Sequence, residues 1–162
     1  MAECPKLREH LVNLLNGGSA HLDFKTAVSD FRAHLRGMKP AGAPHSAWEL
    51  IEHLRIAQQD ILEFSRNPKH VSPKWPEGYW PETESPPNEQ AWDESLRRFQ
   101  ADLQAMQSLV GDESNDLFAP IAHEDGQTLL REALVIADHN SYHIGQLVMV
   151  RRMLEAGGEA GR

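Results

Sequence analysis

The stretch LLREALVIADHNSYHIGQLVMVRRML, residues 129–154, repeats apolar side chains every three to four positions. This spacing is typical of an amphipathic helix with one buried face. We expect the helix to begin near Gln127 and to end at Glu155, before the Gly157-Gly158 pair, with a length of about 40 Å. A helix of that length can cross a whole domain and therefore decides the fold. Its predicted buried face consists of Leu129, Ala133, Ile136, Leu147, Val150 and Leu154.

Two histidines lie on the predicted buried face of this helix. His139 and His143 are four residues apart, so their rings are one turn apart on the same side and can bind one metal ion. The chain contains nine histidines in 162 residues, so chance alone can produce such a pair. The pair becomes informative because both polar rings interrupt an otherwise apolar face.

Three further main helices are predicted from the same periodicity, and no segment alternates as a strand does. Gly17-Gly18 ends the first, Ser46 and Glu49 fit a capping box that begins the second, and Gly111-Asp112 ends the third. A brief helical piece capped by Asp23 follows the first helix. This pattern predicts an all-α helix bundle. The predicted main helices cover residues 4–16, 46–65, 88–109 and 127–155.

The second predicted helix adds a third histidine to the candidate core. His53 lies at mid-depth on a face that is otherwise apolar. That face consists of Leu50, His53 with Leu54, Ala57, Ile61 and Phe64. Buried imidazoles need partners, and each unsatisfied one costs about 1–3 kcal/mol. A metal ion shared by His53, His139 and His143 removes that cost.

The segment over residues 67–87 contains six prolines, which exclude continuous helix. A long crossover loop between helices 2 and 3 is therefore expected. Its aromatic residues Trp75, Tyr79 and Trp80, together with Trp48, favour packing of this loop over the bundle. The alternative interpretation is that these rings line a ligand cleft.

Length and composition bound the class of protein. A chain of 162 residues is consistent with a single domain, residues 1–162. One cysteine, Cys4, excludes an internal disulfide and a multi-cysteine zinc site. The net charge of −8 argues against nucleic-acid binding, and the sequence contains no apolar run long enough to span a membrane. With no secretory signal pattern either, we expect a cytoplasmic protein.

The metal hypothesis has three weaker associated residues. Glu49 precedes His53 by one turn and can act as a ligand, as an orienter of a ring or only as a cap. Tyr142 and Gln146 are candidates for contact with a substrate or an ordered water. Asn140 stands where a zincin peptidase has glutamate, which argues against that class. The other histidines are expected in exposed or capping roles, with His21 and His123 possible near the site: His10, His21, His34, His45, His70 and His123.

These segments resemble the DinB-like family, which is named for damage-inducible members and regarded as metal-dependent. The resemblance rests on Ser46-Ala47-Trp48-Glu49-Leu50-Ile51-Glu52-His53, on Asp138-His139-Asn140-Ser141-Tyr142-His143-Ile144-Gly145-Gln146-Leu147 and on the order of the helices. It implies a four-helix bundle of up-down-down-up topology, often a homodimer, with a divalent metal on His53, His139 and His143. Characterised branches include transferases and isomerases that use low-molecular-weight thiols such as bacillithiol or mycothiol.

Three functions follow as hypotheses. The first is a metal-dependent enzyme, either a thiol-dependent S-transferase or a hydrolase, which acts on a small molecule and uses Zn²⁺ or Ni²⁺. The second is a non-catalytic metal-binding or stress-response protein that contacts a protein partner. The third is a metal-free bundle whose histidines are packed and hydrogen-bonded. A ligand-sized cleft beside the histidines favours the first.

Overall fold

The computed structural model describes residues 5–123 and 126–159, and these residues contain five α-helices and no strand. Two 3₁₀ helices and one isolated antiparallel bridge between Pro120 and Thr128 complete the regular structure. The all-helical class is therefore confirmed. The α-helices are α1 (Pro5–Asn16), α2 (Phe24–Val28), α3 (Ala47–Arg66), α4 (Glu89–Gly111) and α5 (Leu129–Glu159), and the 3₁₀ helices are Ala33–Leu35 and Glu77–Tyr79.

The helices begin where polar side chains can satisfy free backbone amides. The Ser46 hydroxyl accepts a hydrogen bond from the Glu49 amide, and the Glu49 carboxylate accepts one from the Ser46 amide. This capping box confirms the predicted start of α3. Asn88 caps α4 and Asp23 caps α2 in the same manner.

The helix ends were predicted less well. Gly17 has φ of +72° directly after α1, as the stop signal there requires. The stop predicted at Gly157-Gly158 is wrong, because α5 continues to Glu159. Gly157 does not adopt the positive φ that a terminating glycine needs, and a glycine without it simply continues the helix. The predicted start of the first helix at Cys4 lies outside the described residues.

Helix α3 packs against both α4 and α5, and α1 packs against the same two helices. The buried face predicted for α5 is confirmed, since all six of its apolar residues are buried. The face predicted for α3 is wrong at its end. Ile61 and Phe64 are only half-buried, whereas Gln58 and Leu62 are buried. Because α3 packs against both α4 and α5, its buried face includes Gln58 and Leu62 rather than Ile61 and Phe64.

A buried polar network joins α3, α4 and α5 next to the histidines. The Gln58 amide donates a hydrogen bond of 2.7 Å to the Phe99 carbonyl and accepts one of 2.8 Å from the Asn140 amide. Because Asn140 follows His139, this network connects the three helices beside the candidate site. None of the described helices is long and apolar enough to cross a membrane.

Candidate metal centre

Three imidazole rings meet between α3 and α5. His53 comes from α3, and His139 and His143 come from successive turns of α5. The Nε2 atoms of His53 and His139 are 3.1 Å apart, and one ring nitrogen from each residue lies within 4.8 Å of the others. Two nitrogens bound to one tetrahedral Zn²⁺ ion are separated by roughly 3.3 Å, given Zn–N bonds of 2.0–2.1 Å. The cluster therefore has the composition and the size of a three-histidine metal site.

Hydrogen bonds to Nδ1 orient two of the rings. His53 donates from Nδ1 to the Tyr79 carbonyl over 2.9 Å, and His143 donates from Nδ1 to the Gln146 side-chain oxygen over 2.7 Å. In a neutral ring with Nδ1 protonated, Nε2 carries a lone pair. His53 thus turns its Nε2 lone pair toward His139, and His143 keeps Nε2 as its lone-pair nitrogen. Histidines bind metal ions in this state, with the second ring nitrogen donating to a neighbouring oxygen.

The histidines are held in the neutral form that a metal requires. Burial lowers the pKa of His139 to about 4, and the neighbouring His143 and His53 add to this effect. Burial is also the main cause that lowers the pKa of His53 and of His143. Protons therefore do not compete for these nitrogens near neutral pH.

Trp80 covers His53 from the loop between α3 and α4, residues 67–88, here called the 67–88 loop. Its ring stacks on His53 with the centroids 4.0 Å apart and the planes within 2°. His45 stacks on the opposite side of Trp80, also at 4.0 Å. The predicted packing of the aromatic residues is confirmed for Trp48, Tyr79 and Trp80 and is wrong for Trp75, which is 67% exposed.

The role expected for His45 is wrong. It is half-buried and stacked rather than exposed, and its Nδ1 is buried without a hydrogen-bond partner among the described residues. Its position next to the Ser46 cap was the available signal, because a residue before a helix cap is held close to the helix. The sequence did not indicate its partner, since Trp80 is 35 residues away along the chain.

The three weaker candidates lie at different distances from the cluster. Gln146 contacts it directly through His143. Tyr142 is 64% exposed, and its ring lies edge-on to His143 with the centroids 4.9 Å apart. The Glu49 carboxylate is occupied by the capping box and by Lys39, whose ammonium group lies 3.1 Å away.

His21 and His123 lie outside the three-ring cluster. His21 is hydrogen-bonded through Nε2 to the Ser141 hydroxyl over 3.0 Å, and the His123 ring packs against Phe64.

One side of the cluster borders the protein surface. His139 and His143 line part of a shallow, open depression on the outer face of α5. The other side chains that line it are Arg131, Leu134, Val135, Asp138 and Tyr142. A metal ion at the three rings would therefore border a surface that carries apolar groups and charges of both signs.

Comparison with known proteins assigns the chain to a family. The model of the DinB superfamily matches residues 23–147, which is more than three-quarters of the sequence. The matched range includes all three clustered histidines and omits α1. No curated protein and no solved structure matched the chain.

Proposed function

The chain belongs to the DinB superfamily, and from this premise we propose that His53, His139 and His143 bind one divalent transition metal ion, Zn²⁺ or Ni²⁺. The observation that carries the proposal is the convergence of three neutral rings, two of which have their Nδ1 atoms hydrogen-bonded elsewhere. Imidazole nitrogens suit both ions, whereas Mg²⁺ and Ca²⁺ prefer oxygen. Gln146 and the Tyr79 carbonyl serve as the groups that orient the ligands.

We further propose that the protein is an enzyme acting on a small molecule, either a thiol-dependent S-transferase or a metal-assisted hydrolase. A bound divalent ion lowers the pKa of a thiol or water at its open position and so supplies a nucleophile at neutral pH. The depression beside His139 and His143 supports this proposal, because it places two of the three rings beside an open surface. Arg131 and Asp138 offer it charged groups, and Leu134 and Val135 offer apolar contact.

The alternative is a non-catalytic metal-binding or stress-response interaction protein. Two exposed methionines of α5, Met149 and Met153, lie outside this depression and favour contact with another protein chain. We propose that this contact forms a homodimer. Each subunit would be a four-helix bundle of up-down-down-up topology, and the protein would be cytoplasmic. A dimer is compatible with catalysis, so the two functions differ only in whether the ion has an exchangeable position.

The first experiment measures metal content by elemental analysis of protein purified without an affinity tag and reconstituted with Zn²⁺. We expect about one ion per chain in the wild-type protein and none in the triple variant His53→Ala/His139→Ala/His143→Ala. The matched control is His10→Ala/His34→Ala, which removes two exposed histidines from other elements. Full metal retention in the triple variant would show that the ion binds elsewhere.

A second experiment separates the enzyme from the binding protein. The site is loaded with Co²⁺, and its absorption spectrum is recorded while a small thiol is added. New sulfur-to-cobalt charge-transfer bands are expected for an open coordination position. A spectrum that does not respond to the thiol would favour a closed, non-catalytic ion.

A further inference from the structure

We propose that Asp60 and Tyr79 form a clamp that holds the 67–88 loop on α3 and thereby fixes His53 in its metal-binding orientation. Both are positioning residues, because neither touches the three-ring cluster with its side chain. The inference rests on the proposed metal site only for its effect on metal affinity. The effect of the clamp on the tautomer of the His53 ring is a property of the metal-free protein and does not depend on the metal site.

The Asp60 carboxylate accepts hydrogen bonds from two separate residues of the loop. Its Oδ2 accepts a hydrogen bond of 2.5 Å from the Tyr79 hydroxyl, and its Oδ1 accepts one of 2.7 Å from His70 Nε2. The Asp60 side chain is only 11% exposed, so water competes weakly for these hydrogen bonds. One carboxylate on α3 therefore anchors the loop at positions 70 and 79.

The anchored part of the loop is the part that contacts His53. Tyr79 accepts the Nδ1 hydrogen bond through its own carbonyl, and the adjacent Trp80 covers the face of the His53 ring. Asp60 follows His53 by seven residues, about two helical turns, so both lie on the same side of α3. Tyr79 thus spans the distance between them, with its hydroxyl on Asp60 and its carbonyl on His53.

This geometry has a consequence for the protonation of His53. The Tyr79 carbonyl can only accept, so it selects the ring form with the proton on Nδ1 and the lone pair on Nε2, the nitrogen that lies 3.1 Å from His139 Nε2. Neutral histidine in water favours the opposite form, with the proton on Nε2. Release of the loop should therefore shift His53 toward the form that cannot bind a metal through Nε2.

The test uses Tyr79→Phe, which removes the hydroxyl and keeps the carbonyl, and Asp60→Ala, which removes the anchor. Asp60→Asn keeps an oxygen that can accept from Tyr79 but replaces the acceptor of His70 Nε2 by an amide NH₂ group, so it should fall between the wild-type protein and Asp60→Ala. Glu82→Gln is the matched control, because Glu82 is an exposed carboxylate in the same loop. Tyr79→Phe alone decides the matter if Asp60→Ala does not fold.

Three quantities are measured for each variant. The first is the tautomer of His53 in metal-free protein by ¹⁵N NMR, where Tyr79→Phe should increase the Nε2-protonated fraction. The second is trypsin cleavage after Lys74, whose side chain is 86% exposed in the loop; its rate should rise in the variant. The third is the Kd for Zn²⁺ by chelator competition, which should increase about tenfold.

The outcomes separate the two proposals. A wild-type His53 tautomer and a wild-type cleavage rate in Tyr79→Phe would overturn the clamp, whatever the metal affinity. A wild-type protein that binds no Zn²⁺ would overturn the metal site, while the tautomer and the cleavage rate would still decide the clamp.

Discussion

Acid should destabilise the metal-free protein through its buried histidines, and His139 gives the clearest case. Burial lowers the pKa of its ring from the ordinary value of 6.5 to about 4 in the folded chain. The unfolded chain takes up a proton below about pH 6.5, whereas the folded chain resists protonation until about pH 4. The contribution of His139 to stability is therefore fully present above pH 6.5 and is lost as the pH falls toward 4.

The size of the effect follows from the difference between the two pKa values. One pK unit corresponds to about 1.4 kcal/mol, so a fall from 6.5 to about 4 corresponds to roughly 3 kcal/mol. The lowered pKa values of His53 and His143 act in the same direction. Because the rings repel each other when charged, the three contributions are not additive.

The assay is urea unfolding of metal-free wild-type protein and of His139→Gln at several pH values between 7 and 4. Glutamine stays neutral throughout this range, while carboxylates with lowered pKa, such as Glu52 and Glu94, titrate in both proteins. The difference in unfolding free energy between the two proteins should therefore change by roughly 2–3 kcal/mol in favour of the variant as the pH falls. A difference that is independent of pH would refute the argument that burial holds His139 neutral.

The remaining predictions concern metal binding and packing. Saturating Zn²⁺ should raise the melting temperature at pH 7.5 by more than at pH 4, because protons compete for the ring nitrogens of the folded site only as the pH approaches the lowered pKa of His139, about 4. Scanning fluorimetry with and without chelator measures this. Gln58→Leu should cost roughly 2–3 kcal/mol in urea unfolding by leaving the Asn140 amide without its acceptor, and the added change Asn140→Leu should recover part of that loss. Leu62→Ala should lower the free energy of unfolding by about 2–5 kcal/mol, clearly more than Ile61→Ala, since of these two residues only Leu62 is fully buried. Equal losses would mean that the buried face of α3 lies where the sequence predicted it.

The helices and the identity of the clustered histidines could be predicted because both depend on local periodicity. His139 and His143 are separated by one turn of a single helix, so their proximity follows from their spacing. The capping residues of α3 likewise act over three positions in the sequence. His53 required a further assumption, that the apolar faces of two helices pack together.

The groups that orient His53 could not be predicted, because they come from a segment without periodicity. Nothing in the sequence indicates that the Tyr79 carbonyl faces a ring 26 residues earlier, or that Trp80 lies between His45 and His53. Such contacts depend on the path of the 67–88 loop, which is determined by tertiary hydrogen bonds. The rotation of the α3 face toward Leu62 has the same origin, since it depends on which helices flank α3.

The hydrogen bond between Gln58 and Asn140 is better explained by helix register than by stability. Buried polar groups gain little over apolar groups of similar shape, and the Asn140 Oδ1 is buried without a partner among the described residues. Two leucines would pack at several axial offsets, whereas this bond fixes one offset of α3 against α5. His53 lies five residues before Gln58, and His139 directly precedes Asn140. A different axial offset between α3 and α5 would therefore separate the His53 ring from the His139 ring. In the double leucine variant, stability and Zn²⁺ affinity should therefore separate: the bundle regains stability, but the binding of Zn²⁺ stays weak.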